Sequence, residues 1–216
     1  MNAVPNSHSE RSEESGRDEP RTLPSNQGVI GQVVRADIAK FTTGCLQLLQ
    51  TPPLGSLLKV EEGSTIFAVV CDARTESIDG RPPVPRLSGE TDLESFLETH
   101  PHLRHLLQTT CDAVVVGHQD GSQIRHYLPS APVPLFAPVR LCSAEEMARF
   151  SQDLDFLKLL LAAPTHSDEM TAACLRLAAA AHADGRAFLV RAGKELARLL
   201  GAEPQRLTSI LRRVRP

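Results

Sequence analysis

The residues that could do chemistry are few, and their spacing argues against most of it. A phosphate-cradling loop needs G-x-x-x-x-G-K-[ST], where backbone N–H groups hold phosphate oxygens and the hydroxyl reaches Mg²⁺. The one Gly-Lys pair, Gly193-Lys194, has Phe188 where the first glycine belongs and Glu195 where the hydroxyl belongs. A carboxylate at that place repels phosphate. His100, His102 and His105 invite a metal reading, because positions 102 and 105 share one face of a helix. Cys111 and Asp112 are the only further ligand types near them, so a solvated helix start is the expectation. Glu90, Glu94 and Glu98 read as helix-surface carboxylates, and no Ser/His/Asp or Cys/His arrangement stands out among eight histidines and five cysteines. No catalytic residue, cofactor or metal is expected, and hence no enzyme.

The C-terminal end carries a different signal. From residue 181 onward eight Arg or Lys face three Asp or Glu, a net of +5 within a chain of net charge −3. The segment ELARLLGAEPQRLTSILRR resembles a helix-turn-helix, with Ala197 small at the crossing, Gly201 at the turn and Pro204 opening the second helix. Leu207, Ile210, Leu211 and Val214 are then expected to pack inward. Lys194, Arg198, Gln205, Arg206, Arg212 and Arg213 are the candidate contacts for nucleic acid or an acidic partner, with Arg206, Arg212 and Arg213 expected on one exposed face. The competing reading is an ordinary α-hairpin with a solvated basic face.

Composition narrows the rest. A chain of 216 residues with 41 % apolar side chains can bury a core. Trp is absent and Tyr127 is the sole tyrosine, so base stacking has little to use beyond seven Phe. Cys45, Cys71, Cys111, Cys142 and Cys174 are odd in number and form no C-x-x-C pair, which suits small buried side chains in a reducing compartment. With no apolar stretch of signal-peptide or membrane-span type, a cytoplasmic protein is expected.

Residues 1–27 are rich in Ser, Glu, Arg and Pro, with too little apolar surface to offset ordering, and predict a disordered tail. Short β-rich runs follow: VIGQVVRA, FTTGCLQLL, LLKVEE and STIFAVVCDAR, broken at TPPLGS and EEGS. Gly31 and Gly44 inside two of these runs suggest bulges or corners of a small barrel. Residues 75–90 read as a surface loop, and 92–107 as a helix in two pieces broken before Pro101. Two more strands, CDAVVVGH and SQIRHYL, meet at the Asp120-Gly121 turn. PSAPVPLFAPV is proline-spaced and extended, wrapping a surface. From Ser143, which with Glu146 forms a capping box, helices are expected near 144–162, 167–183, 186–200 and 204–214.

The run GVIGQVV, the strand opening at Phe41, the turn TPPLGS with Gly55, then LLKVEEGSTIFAVVCDAR, AVVVGH and PSAPVPLFAPV together resemble the HAS-barrel family over about residues 28–142. That family is the small barrel at the N-terminus of HerA-type DNA translocases and of F-type ATP synthase ring subunits. Ribosome-maturation and PRC-type barrels share the strand count. The resemblance implies a partner-binding module, one that in larger relatives sits on a ring-shaped ATPase, supports ring assembly and docks the NurA nuclease. It carries over no ATPase or nuclease residue. The expected architecture is α+β: a six-stranded HAS-type barrel over 28–142 with an insertion near 75–108, then an all-α bundle over 143–216. The expected function is a non-catalytic adaptor on a nucleic-acid-processing machine, contacting a ring-shaped ATPase or nuclease. The alternative is a DNA-binding regulator using the terminal helices.

Overall fold

Strands buried on one face alternate in sequence, whereas strands buried on both faces read as continuous apolar runs. LLKV, IFAVV and AVVV are of the second kind, and the architecture shows why. A computed structural model describes residues 28–81, 93–165 and 167–214. The segments predicted as a disordered tail (1–27) and most of the predicted loop (82–90) lie outside the described residues.

β1 (Val29–Ala36) and β2 (Lys40–Cys45) form a hairpin, and β3 (Leu57–Glu62) turns at Gly63 into β4 (Ser64–Ser77). β4 runs antiparallel to β5 (Leu107–Asp120) from Ile66 to Ser77. The short β6 (Gln123–Arg125) folds back on the end of β5, and β7 (Pro138–Leu141) lies between β1 and β3. β2 pairs with β5, Phe41 opposite Ala113, which closes a six-stranded antiparallel barrel in the order β2-β1-β7-β3-β4-β5. The β3-β4-β5 meander with β7 returning beside β3 is a Greek key.

The strand count matches the prediction, but its membership does not. SQIRHYL contributes only β6, outside the ring, and the proline-spaced segment supplies the closing strand instead. β7 is just Pro138–Leu141, and proline is tolerated at its first position because the missing donor costs no ladder bond there. Likewise β2 stops at Cys45, short of the predicted Leu49, and β4 continues to Ser77.

Val33, Phe41, Leu58, Val60, Ile66, Ala68, Val70, Cys111, Ala113, Val115 and Val139 fill the barrel. The alternate residues Leu57, Phe67, Val69, Val114 and Val116 face outward, under the helices. Gly31 sits where β1 crosses β2: a Cβ there would stand 2.2 Å from the Gly44 carbonyl oxygen, so glycine is what lets the two backbones approach.

α1 (Leu93–Thr99) and a 3₁₀ turn (Pro101–His105) precede β5, in the two pieces predicted. After β7 come α2 (Ala144–Phe150), α3 (Phe156–Ala162), α4 (Asp168–Ala181), α5 (Gly185–Leu199) and α6 (Pro204–Val214). The single helix predicted over 144–162 is two. Ser151 Oγ donates to the Met147 carbonyl at 2.7 Å, and Asp153 accepts the Asp155 N–H at 2.9 Å. Short polar side chains that bond nearby backbone compete with the helix ladder and end it. Ser143 caps α2 from both sides of the capping box, Ser167 caps α4 and Asp184 caps α5. The helices and the outer wall of β3–β5 share one apolar core, joined by Phe67 against Phe150 at 5.0 Å and Phe150 against Phe156 at 5.3 Å. No helix among the described residues is long and apolar enough to cross a membrane.

Candidate functional site

The basic residues predicted from sequence are not gathered into one free patch. α6 lies across α4, burying Ile210 and Val214. Arg206 and Arg213, two turns apart, share the side of α6 that meets the acidic first turn of α4. Arg206 Nε lies 3.4 Å from Asp168 and its Nη1 2.8 Å from Glu203, while Arg213 Nε lies 2.9 Å from Glu169. Glu203, then Asp168, hold the Arg206 guanidinium above its ordinary pKa. On α5, Arg198 pairs with Glu195 one turn earlier. Lys194, Gln205 and Arg212 are exposed, and Gln205, Thr208, Ser209 and Arg212 border a shallow groove along α6.

Two expectations for this region need correction. Arg212 is turned about a third of the way around the helix from Arg206 and Arg213, since six residues at 3.6 per turn do not bring it back to their side. Leu211 is 36 % exposed and lies over Gly193 of α5, whereas Ile210 is fully buried. α6 packs mainly on α4, which moves its apolar stripe away from position 211.

Gly193-Lys194 falls in the middle of α5, so its backbone N–H groups serve the helix. The ring of His100 packs edge-on against Phe96 at 4.9 Å and His102 at 5.8 Å. Among the described residues no three His, Cys, Asp or Glu side chains converge on a metal position. Glu98 is exposed, and Glu90 lies outside the described residues. Cys111 and Cys174 are buried, and burial pushes the Cys174 thiol up to about 12. Cys45, Cys71 and Cys142 are only half-buried, less than expected for core side chains. The Cys111 thiol beside Cys45 lowers the Cys45 pKa.

Sequence reading missed a Ser–His pair. Ser151 Oγ stands 2.8 Å from His182 Nε2, thirty-one positions along the chain. The serine is fully buried and gives its single proton to the Met147 carbonyl, so the imidazole N–H donates to the hydroxyl. The His182 ring stacks on Phe188 at 4.4 Å, and the Arg191 guanidinium covers the Phe188 ring at 5.9 Å. This arrangement ends α2 and ties it to the end of α4; it offers no oxygen to a substrate. Nothing in local spacing signals it, because a serine at a helix end reads as a cap.

On the wall of the barrel opposite the helices several apolar side chains stay in solvent. β1 stands three strands from β4 around the ring, and a bulge between Val33 and Arg35 turns Val34 outward, 51 % exposed. Beside it runs the segment leading into β7. The Phe136 N–H donates to the Val33 carbonyl at 2.8 Å, and the Val33 N–H to the Ala137 carbonyl at 3.0 Å. Phe136 has φ +65° and is 72 % exposed, with Leu135 and, at the hairpin tip, Ile38 also exposed. A bulky side chain in that left-handed region costs about 1–2 kcal/mol. Here no burial of the ring offsets it.

No protein-family model and no curated protein matches the chain.

Proposed function

We propose that the chain is a non-catalytic adaptor whose barrel docks on a larger nucleic-acid-processing machine of the HerA-type translocase and NurA-type nuclease class. The observation that carries this reading is the asymmetry of the barrel. One wall is sealed by helices, and the opposite wall presents Val34, Leu135 and Phe136 to solvent on hydrogen-bonded backbone. Exposed apolar side chains gathered at one place mark interaction surfaces. The HAS-barrel resemblance supplies the machine class, and the helices after Ser143 act as a bundle that props the barrel and offers a second contact. The thiols, none of them bridged, fit a cytoplasmic setting.

The test is titration of the purified protein against the HerA-type ATPase ring and the NurA-type nuclease of the same genome. A complex with either supports the adaptor, and its affinity should fall far less steeply with salt than duplex binding does, because apolar contact dominates. Absence of binding to both sinks it.

The second reading, a DNA-binding regulator, is favoured by one feature: α6 lies across α4 after a short turn from α5, and its outward stripe of Gln205, Thr208, Ser209 and Arg212 is free of the core. Helix-turn-helix proteins present a recognition helix in this manner. Against it, Arg198, Arg206 and Arg213 are each held by carboxylates of this chain. Duplex binding would weaken steeply with salt, at a log-log slope of about −0.9 per phosphate neutralised.

A further inference from the structure

We infer that Phe136 is the anchor of the docking surface and that its partner is a protein presenting an apolar pocket rimmed by carboxylates. The inference rests on the adaptor reading and goes further in naming the residue and the chemistry of its seat.

Three observations point to it. First, the ring is presented, not left over. Pro134 precedes Phe136 by two residues and Pro138 follows by two, which restricts the backbone. Hydrogen bonds to both sides of Val33 pin it to β1, and Val133 and Ala137 on either side are buried. A rigid exposed aromatic loses little freedom on binding, the property that makes such residues interface anchors. Second, its neighbours extend the apolar contact: Leu135 next in chain, Val34 across the hydrogen-bonded edge, and Ile38 at the hairpin tip, 45 % exposed. Third, among the described residues the cations of this hairpin lack carboxylate partners while those of β3, β4 and β7 have them. Lys59 bonds Glu61 and Glu146, Arg140 pairs with Glu61, and Arg74 with Asp72 and Asp112. Arg35 and Lys40 are exposed, and among the described residues no carboxylate bonds either. Asp37 is the one acid between them. The rim therefore favours a partner with carboxylates around its pocket.

Phe136→Asn tests the anchor without endangering the fold, because asparagine accepts the left-handed backbone that phenylalanine resists. Melting temperature should stay or rise, while affinity for the ATPase ring or the nuclease falls about 30-fold or more, as loss of a central aromatic does. Arg35→Gln with Lys40→Gln should mainly slow association and remove its modest salt dependence, since rim charges act on encounter. If wild type binds and Phe136→Asn binds equally well, the anchor is wrong and the adaptor reading stands. If wild type binds neither protein, both fall together. If sedimentation shows a wild-type dimer that Phe136→Asn abolishes, the seat is a second copy of this chain and the acidic partner is refuted.

Discussion

His126 Nδ1 lies 3.9 Å from Asp153 Oδ1, while its Nε2 is buried with no hydrogen-bond partner among the described residues. The side chain is 5 % exposed and wedged edge-on against Phe150 of α2 at 4.7 Å and Phe156 of α3 at 5.8 Å, so it joins the β6 hairpin to the helices. Burial lowers its pKa, opposed by Asp153 and Asp155. The unfolded chain therefore takes up the proton first as pH falls. Stability conferred by neutral His126 is complete above the unfolded value of about 6.5 and declines as pH drops below it toward the folded value. His182, lowered by burial and then by Arg191, acts with the same sign. Melting temperature should fall between pH 7.5 and 5.5, and His126→Phe should shrink that fall. An unchanged pH dependence in the variant would show that this imidazole is not the sensor.

Gly55 couples the barrel to α4. Its φ is +82°, and a Cβ would stand 2.4 Å from the Cys174 backbone nitrogen. Gly55→Ala must both strain the turn before β3 and push α4 off the wall, costing about 2–5 kcal/mol by left-handed strain plus overpacking. Urea titration reads the loss; a midpoint within error of wild type would mean that α4 does not press on this turn.

Glu146 serves two elements at once. Its Oε2 accepts the Ser143 N–H at 2.9 Å in the capping box, and its Oε1 accepts from Lys59 of β3 at 2.8 Å. Ser143→Ala, which breaks the cap alone, is expected to cost about 1 kcal/mol. Glu146→Ala should cost more than Ser143→Ala in the same melt, since Lys59 also loses one of its two carboxylate partners among the described residues.

On α6 neighbouring positions separate. Ile210→Asp places an unpaired charge in the core shared with α4 and should unfold the C-terminal helices, whereas Leu211→Asp, at a site 36 % exposed, should be far milder. Circular dichroism on heating distinguishes them.

The arginines separate in the same way. Reversing Arg206 or Arg213 to glutamate sets like charges against Asp168, Glu169 and Glu203, so those variants report on packing as well as binding. Arg212→Glu is the cleaner probe: exposed substitutions usually cost within about 0.5 kcal/mol, and a loss of duplex affinity at unchanged melting temperature would support the DNA-binding alternative.

Local pattern carried much of this fold. Turn residues at TPPLGS and EEGS, the capping box at Ser143 and the apolar spacing after it placed most strands and helices, because propensity, capping and periodicity act within a few residues of each other. The continuous apolar runs of β3, β4 and β5 announced burial on both faces without saying what lay on the second. Closure of the barrel through β7 was hidden, since a four-residue strand that follows three prolines and opens on a fourth has no period to detect. The candidate site divides in the same way. That basic residues cluster at the C-terminus is a property of the sequence. Whether each arginine meets solvent or the first turn of α4 depends on how α6 crosses it, and that angle is set by side chains tens of positions apart. Phe136 carries no local signal within its proline-rich run, for its exposure and left-handed backbone arise only once Val33 bonds to either side of it. Short-range chemistry is written along the chain, while ion pairs, buried histidines and exposed anchors belong to contacts that exist only after the barrel has closed and the helices have covered one wall.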